Sequence, residues 1–196
     1  MSGDHGSSVI SARVRHVEAL LESCGLLDAG EIDIRIDEFL AGGTPANGAR
    51  IVARAWVDPA FAERLLADAN TAIREVGLSM AGGLQEQRLK VVANSADQHN
   101  VVVCTLCSCY PIALLGPSPS WYKSEAYRSR VVRDPRGVLA EFGFPLPAGT
   151  SIAVWDASAE SRYLVLPRRP VGTGDLAETE LAGLVTRKGL IGTAPV

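Results

Sequence analysis

Histidine and positive charge are scarce in this sequence. It has 3 histidines, and its 19 lysines and arginines are outnumbered by 22 aspartates and glutamates, for a formal net charge of −3. A chain without a basic excess has no general attraction for a polyanion, so nucleic acid is not an expected partner. No apolar run is long enough to cross a bilayer, and the first residues, MSGDHGSS, are unlike a signal peptide. We therefore expect no membrane association and a cytoplasmic location.

Cysteine is also rare, but its placement is uneven. Of 4 cysteines, Cys24 stands alone, whereas Cys104, Cys107 and Cys109 lie within a stretch of six residues. A secreted domain stapled by disulfides would spread its cysteines over many loops. The cluster instead indicates a local metal or redox site in a reducing compartment.

Apolar spacing divides the chain into a helical first part and a mixed second part. Helical periodicity predicts helices over residues 9–24, 28–40, 46–57, 59–76, 135–142 and 178–187. Runs rich in β-branched residues predict strands over 89–93, 100–104, 151–155 and 163–166. This order predicts an α+β fold, in which a helical N-terminal arm, 1–80, precedes a domain of mixed helices and strands, 81–196, that contains the cysteine cluster. We expect its strands to be antiparallel.

The cysteine cluster has the spacing C-x-x-C-x-C, and a predicted strand delivers Cys104 to its start. Thiolates select iron, cobalt, copper or zinc over magnesium and calcium. A structural zinc site needs four ligands, yet the sequence has no second cysteine pair, and His99 would point to the opposite face of the strand from Cys104. An iron–sulfur cluster lacks its fourth cysteine in the same way.

Main-chain groups of the loop could supply the missing ligands. Deprotonated amide nitrogens of Ser108 and Cys109 would complete a plane with the sulfurs of Cys107 and Cys109, with Cys104 axial. A sixth position would then stay open, as a catalytic metal requires. A zinc knuckle, or three buried thiols without a metal, remains an alternative at this point.

Residues 103–111, VCTLCSCYP, resemble the active-site signature of nitrile hydratase α subunits. The resemblance continues over nearly the whole chain, including VARAW at 52–56, YRSRVVR at 127–133, VWD at 154–156 and LVTR at 184–187. It implies a mixed α/β layered sandwich for the second part of the chain and hydration of a nitrile to its amide.

The resemblance also implies the chemistry of the metal. The family holds non-corrin cobalt or non-haem iron, and Thr105 is the residue type of its cobalt form, so we expect one Co³⁺ per chain and iron less. The ligands would be Cys104, Cys107, Ser108 and Cys109. Cys107 would be oxidised to sulfinic acid and Cys109 to sulfenic acid, with Cys104 a plain thiolate. Oxygenated sulfurs donate less charge and leave the metal a stronger Lewis acid.

Three residues carry expected catalytic roles. Cys109 would provide the nucleophile, as its sulfenate oxygen or as a water that this oxygen activates. Ser108 would add a hydroxyl near the metal, although a loop-forming serine is an equal interpretation. Gln85 matches a glutamine that the family places beside the active site, although a surface glutamine is again an alternative. The arginines of the run 128–136 are expected to anchor the cysteine loop and contact another subunit.

The resemblance implies partners that are not in this chain: one or two β subunits, whose arginines face the oxidised cysteines, a cobalt-delivering activator protein, and a small nitrile. Ile112 and Ala113 depart from the tryptophan and proline of many cobalt-type members, which predicts a pocket for a bulky heteroaromatic nitrile. The sister group, the thiocyanate hydrolase γ subunits, has arginine at the position of Ile112. Thiocyanate hydrolysis and a non-enzymatic zinc-binding module are the alternatives.

Overall fold

The structure is a computed structural model that describes residues 4–81, 86–107 and 109–196. Its internal contacts divide the chain into two compact units, Met1–Glu38 and Phe39–Val196. The functional boundary predicted between residues 80 and 81 is a different kind of boundary and stays a prediction. No helix in the described part of the chain is long and apolar enough to span a membrane.

The first unit is helical, as predicted. Helix α1 covers Asp4–Ser23, and α2, Glu31–Gly42, begins in this unit. Gly25 has a φ of 68°, a left-handed conformation that ends the first helix at low cost. Apolar residues on α1 remain open to solvent, with Val14 60% and Val17 54% exposed. The unit therefore carries an apolar helical face without a cover of its own.

The second unit contains the remaining helices. They are α3 Pro45–Val57, α4 Pro59–Ala67, α5 Ala69–Arg74, α6 Ile112–Leu115, α7 Ser120–Lys123, α8 Glu125–Val131, α9 Pro135–Glu141, α10 Glu178–Leu184 and a final 3-10 turn, Gly189–Ile191. The single helix predicted over 59–76 is two helices. The Asp68 carboxylate accepts hydrogen bonds from the Thr71 amide at 3.3 Å and the Thr71 hydroxyl at 2.7 Å, which starts a new helix.

Within the described residues, four strands form two separate parallel pairs. The strands are β1 Arg88–Ala93, β2 Gln98–Val103, β3 Ser151–Asp156 and β4 Ser161–Leu166. β1 pairs with β4, and β2 pairs with β3, both in parallel. The expected antiparallel arrangement is therefore wrong. Parallel pairing needs a long crossover between partners, and the segment between β2 and β3 supplies one because it contains α6 to α9.

The core lies around β2, with helices and short sheets in contact, and this confirms the predicted α+β class. Val101, Val102 and Val103 are fully buried, as are Ile51 of α3 and Ile191 of the 3-10 turn. A strand buried on both faces is typical of parallel sheets covered by helices. The strand that leads into the cysteine loop is therefore a rigid support for it.

A buried polar network fixes β2 to the C-terminal segment. His99 is 7% exposed, and its Nε2 lies 2.7 Å from the Gly192 carbonyl oxygen. Because a carbonyl can only accept, Nε2 carries the proton, and Nδ1 accepts from the Asn94 amide at 3.1 Å. Gly192 has a φ of 77°, and a Cβ there would lie 1.9 Å from the Asn100 carbonyl oxygen, so only glycine fits.

Acid should weaken this network. Burial lowers the pKa of His99 below its ordinary value of 6.5, so the folded chain favours the neutral ring. The contribution of neutral His99 to the free energy of unfolding is complete above about pH 6.5. It is lost as the pH falls below this value, because the unfolded chain then binds a proton more readily than the folded one. We expect the free energy of unfolding, measured by urea titration, to drop between pH 7 and pH 5.

The matched control uses His16, which is exposed in α1. His99→Gln should flatten the pH dependence of stability over this range, while His16→Gln should leave it as in the unaltered chain. Equal slopes for both variants would show that His99 does not carry the effect.

Candidate metal centre

The three clustered cysteines converge at the carboxyl end of β2. Cys104 follows the last strand residue and is fully buried, Cys109 is half-buried, and Cys107 is exposed. The sulfur of Cys107 lies 3.1 Å from that of Cys104 and 3.0 Å from that of Cys109. All three sulfurs lie within 4.8 Å of one another, so they can bind one ion together. The cysteine loop is defined as residues 104–109.

The donor set distinguishes between classes of metal site. Among the described residues the group holds three sulfur ligands and no fourth side chain. A structural zinc site takes four protein ligands, usually cysteine and histidine side chains. The donor set therefore fits a thiophilic metal that takes further ligands from elsewhere better than a structural zinc ion.

Asp156 holds the start of the loop from the neighbouring strand. It ends β3 and pairs in register with Val103, the last residue of β2. Its carboxylate accepts hydrogen bonds from the Thr105 amide at 2.9 Å and the Thr105 hydroxyl at 2.5 Å. Two charge-assisted bonds to one residue fix the backbone just after Cys104. Thr105, the expected marker of the cobalt form, thus has a structural task as well.

Two tyrosines hold the loop at its two ends. The Tyr127 hydroxyl donates to the Val102 carbonyl at 2.7 Å, and the Tyr122 hydroxyl donates to the Cys109 carbonyl at 3.0 Å. Burial raises the pKa of both phenols far above its usual range, so both remain protonated donors. Their rings pack with Trp121, 5.0 Å from the ring of Tyr127 between centroids. Tyr122 is fully buried, and Trp121 packs against the hydrophobic core.

Two arginines lie beside the loop. Nη1 of Arg128 donates to the carbonyl oxygens of Thr105 at 3.4 Å and Cys107 at 3.3 Å, which confirms the predicted anchoring role of this residue. Arg162 is 8% exposed and donates to the Ser158 carbonyl at 2.5 Å. Its positive charge also acts on the thiol of Cys109. Each guanidinium keeps a buried Nε–H with no hydrogen-bond partner among the described residues.

The thiol of Cys109 is protonated at neutral pH. Burial, with a hydrogen bond to Cys107, raises the pKa of Cys109 to about 12, and the nearby Arg162 only partly opposes this. A metal ligand must be a thiolate, so metal binding has to displace a proton here. Metal affinity of this cluster should therefore fall as the pH is lowered.

Sequence similarity to a protein-family model shows which family the chain belongs to. Residues 8–194 match the family model described as nitrile hydratase, alpha chain. The chain belongs to this family. The cysteine signature had indicated the same assignment, which is confirmed.

Relatives of the nitrile hydratase family align over most of their length. The chain is 52% identical over 185 residues to the low-molecular weight cobalt-containing nitrile hydratase subunit alpha of Rhodococcus rhodochrous, covering 94% of this chain and 88% of the relative. It is 48% identical over 187 residues to the cobalt-containing subunit alpha of Pseudonocardia thermophila, covering 95% and 90%. The thiocyanate hydrolase subunit gamma of Thiobacillus thioparus is 46% identical over 158 residues, 76% of this chain and 65% of the relative.

A solved structure shows the same fold. A double mutant of the Fe-type nitrile hydratase from Comamonas testosteroni Ni1 superposes with a TM-score of 0.87 at 39% identity, covering 96% of this chain and 90% of that chain. The layered α/β arrangement implied by the sequence resemblance is therefore confirmed at the level of fold class.

Two of the expected site residues cannot be placed. Ser108 and Gln85 lie outside the described residues, so their roles stay predictions. The structure brings together the three cysteines, and it adds Asp156, Arg162, Tyr122 and Tyr127, to which sequence reasoning gave no role at the site. Asp156 could have been found only from the parallel register of β2 and β3, which the expected antiparallel pairing hid.

Removing the hydrogen bonds that Arg128 donates to the cysteine loop should increase the mobility of the loop. In Arg128→Met the carbonyls of Thr105 and Cys107 lose their shared donor, which we expect to cost about 1 kcal/mol of unfolding free energy. Hydrogen exchange of residues 104–109 should speed up in the metal-free chain. Arg133→Met is the matched control, because the Arg133 Nε donates to the Ser129 carbonyl of α8. Equal exchange rates in both variants would show that Arg128 does not order the loop.

Proposed function

We propose that this chain is the metal-binding catalytic subunit of a nitrile hydratase, which converts a nitrile to the corresponding amide. The observation that carries the proposal is the convergence of three cysteine sulfurs, all within 4.8 Å of one another, at the end of β2. Family membership and cobalt-containing relatives at 52% and 48% identity support it.

The proposed metal is cobalt, one trivalent ion per chain, with iron less favoured. Cys104, Cys107 and Cys109 would hold it by their sulfurs, and Ser108 and Cys109 by their main-chain nitrogens. When bound, the ion supplies the Lewis acidity that polarises the C≡N bond of a nitrile. Thr105 supports cobalt over iron by its residue type.

The residues of the chain divide the remaining work. Cys104 is buried and serves as a fixed thiolate, whereas Cys109 is half-exposed and can meet a substrate. We assign the nucleophile to an oxygen on the Cys109 sulfur, or to a water that this oxygen deprotonates. With water as the nucleophile, its oxygen bonds to the nitrile carbon and its two protons end on nitrogen. With the sulfenate oxygen as the nucleophile, its bond to sulfur breaks, a water oxygen replaces it on the sulfur, and the two protons of that water end on nitrogen. Either route adds the elements of water to the nitrile without net oxidation. Ser108 and Gln85 are proposed to orient the substrate and the water.

Oxidation of Cys107 to sulfinic acid and Cys109 to sulfenic acid would leave two anionic groups at the surface of the loop. Among the described residues, the cations beside the loop are Arg128 and Arg162, which also donate to main-chain carbonyls. We propose that further positive charge comes from one or two nitrile hydratase β subunits. Leu106, 90% exposed at the tip of the loop, and the exposed apolar face of α1 support a heteromer.

Three further assignments belong to this proposal. A cobalt-delivering activator protein would load the metal. All the described site residues fall within 81–196, which supports this range as the catalytic part and 1–80 as a helical arm. Clustered cysteines without a disulfide support a cytoplasmic, reducing location.

Thiocyanate hydrolysis is the second candidate, because a thiocyanate hydrolase subunit gamma is a relative at 46% identity. Ile112 argues against it. This residue opens α6 directly after the loop and packs against the hydrophobic core, and an aliphatic side chain offers no charge to a small anion. The substrate we propose is a bulky heteroaromatic nitrile of the kind found in nucleoside antibiotics.

Metal content and mass provide the first test. The mature protein should contain about one cobalt per chain, and the 104–109 peptide should carry about three extra oxygens, one on Cys109 and two on Cys107. Cys104→Ser should lose most of the cobalt and the hydratase activity, while Cys24→Ser should keep both. A zinc-loaded chain with unoxidised cysteines would contradict the proposal and favour a binding module.

Substrate preference provides the second test. The cobalt-loaded heteromer should hydrate a purine-like nitrile such as toyocamycin with a kcat/KM at least tenfold above that for acrylonitrile, and it should not turn over thiocyanate. Ile112→Trp should reduce the preference by narrowing the pocket. Strong preference for acrylonitrile would remove the bulky-substrate proposal, and thiocyanate turnover would favour the second candidate.

A further inference from the structure

A cavity of about 620 Å³ runs along β1, apart from the cysteine loop. Five consecutive strand residues, 88–92, line one side of it, and residues 66–70, where α4 meets α5, line another. Trp155 and Tyr163 complete the lining, and their rings lie 5.4 Å apart between centroids. None of the lining residues belongs to the proposed catalytic machinery, so the cavity needs an explanation of its own.

The cavity carries positive charge that the described chain does not balance. Arg88 and Lys90 are exposed and, two residues apart on a strand, lie on one face. Neither forms an ion pair with a described residue, and the Lys90 ammonium lies 5.7 Å from the Tyr163 ring centroid. The lining also holds one acid, Asp68, whose carboxylate caps a helix by accepting from Thr71 and stays negatively charged. With two cations and one anion, the lining carries a net positive charge in a chain whose own net charge is −3.

The backbone of β1 offers hydrogen bonds on the side away from β4. The Arg88 amide donates toward β4, to the Glu160 carbonyl at 3.0 Å. The Leu89 amide therefore points the other way, where it donates to the side chain of Asn70 at 2.7 Å. Since strand residues alternate in direction, the amide and carbonyl of Val91 share that outer side with those of Leu89.

Along this outer side of β1, side chains of the protein bond to main-chain groups at both ends of the strand but not in its middle. The Asn70 side chain bonds to Leu89 and to the Gln87 carbonyl, which it reaches at 2.9 Å. At the other end the Ala93 carbonyl accepts from the Asn100 side chain at 2.8 Å. Val91 lies between these two caps and lines the cavity. The amide and carbonyl of Val91 are therefore the main-chain groups of this edge that a short extended segment could bond to.

We propose that this cavity is a docking groove for an acidic, extended segment of the partner subunit. The inference rests on the proposed function for the existence of that subunit. Main-chain pairing at Val91 favours a polypeptide over a free small anion, because an anion would not use both the donor and the acceptor of the strand edge. Arg88 and Lys90 would pair with the segment's carboxylates, and the aromatic pair would cover its side chains.

Charge reversal tests the groove in the assembled protein. The double variant Arg88→Glu, Lys90→Glu should weaken binding to the co-expressed β subunit at least tenfold at low salt, with a smaller difference at high salt. Arg50→Glu, Lys188→Glu is the matched control, with the same change in net charge on exposed residues. Arg88→Gln, Lys90→Gln should show an intermediate loss, provided that thermal unfolding shows all variants folded.

Hydrogen exchange supplies the second readout. The amide of Val91 should exchange more slowly in the complex than in the isolated chain, and the complex should retain its kcat once assembled. If both double variants bind equally and exchange at Val91 is unchanged, the groove is not a docking site. If inorganic phosphate protects Val91 and the β subunit does not, the cavity is a small-anion site instead.

These outcomes can be distinguished from failure of the proposed function. A chain that binds the β subunit through this groove yet carries no cobalt would contradict the hydratase assignment alone. A cobalt-loaded, active chain whose Val91 and charge variants behave like the controls would contradict the groove alone.

Discussion

Three cysteine sulfurs brought within 4.8 Å of one another on one short loop are the constraint around which the second unit is organised. Main-chain groups of this loop bond to side chains that surround it. Asp156 of β3 accepts from the Thr105 amide, Arg128 of α8 donates to the Cys107 carbonyl, and Tyr122 of α7 donates to the Cys109 carbonyl. Each contact fixes a different point of the backbone and so helps to hold the three sulfurs together.

Parallel strand pairing makes this support possible. β2 and β3 run in the same direction, so both end at the same edge, and their last residues, Val103 and Asp156, are partners in register. The loop leaves one strand end while the carboxylate that holds it extends from the other. In an antiparallel pair the end of β3 would lie at the opposite edge, and Asp156 could not reach Thr105. The topology is therefore part of the site.

The sequence allowed the local part of this arrangement to be predicted. The spacing of Cys104, Cys107 and Cys109, the strand before them and the helix caps at Asp58 and Asp134 are encoded within a few residues. Pairing of β2 with β3 joins residues about fifty positions apart, and strand composition does not record direction. The break between α4 and α5 at Asp68 was also not predicted from the sequence. An aspartate within a helical pattern becomes a helix cap only through its bond to Thr71.

Under the proposed function, electrostatics give this chain a reason to associate with a second one. Burial makes ionised Cys109 costly, as its raised pKa shows, and a bound cation would offset that cost. The proposed oxidation of Cys107 and Cys109 would then add negative charge at an exposed loop, beside which Arg128 and Arg162 are the nearby cations among the described residues. Solvent would screen that charge and give the nucleophile competing partners. A cationic cover from a second chain would remove the water and balance the charge at once, so association and catalysis share one physical requirement.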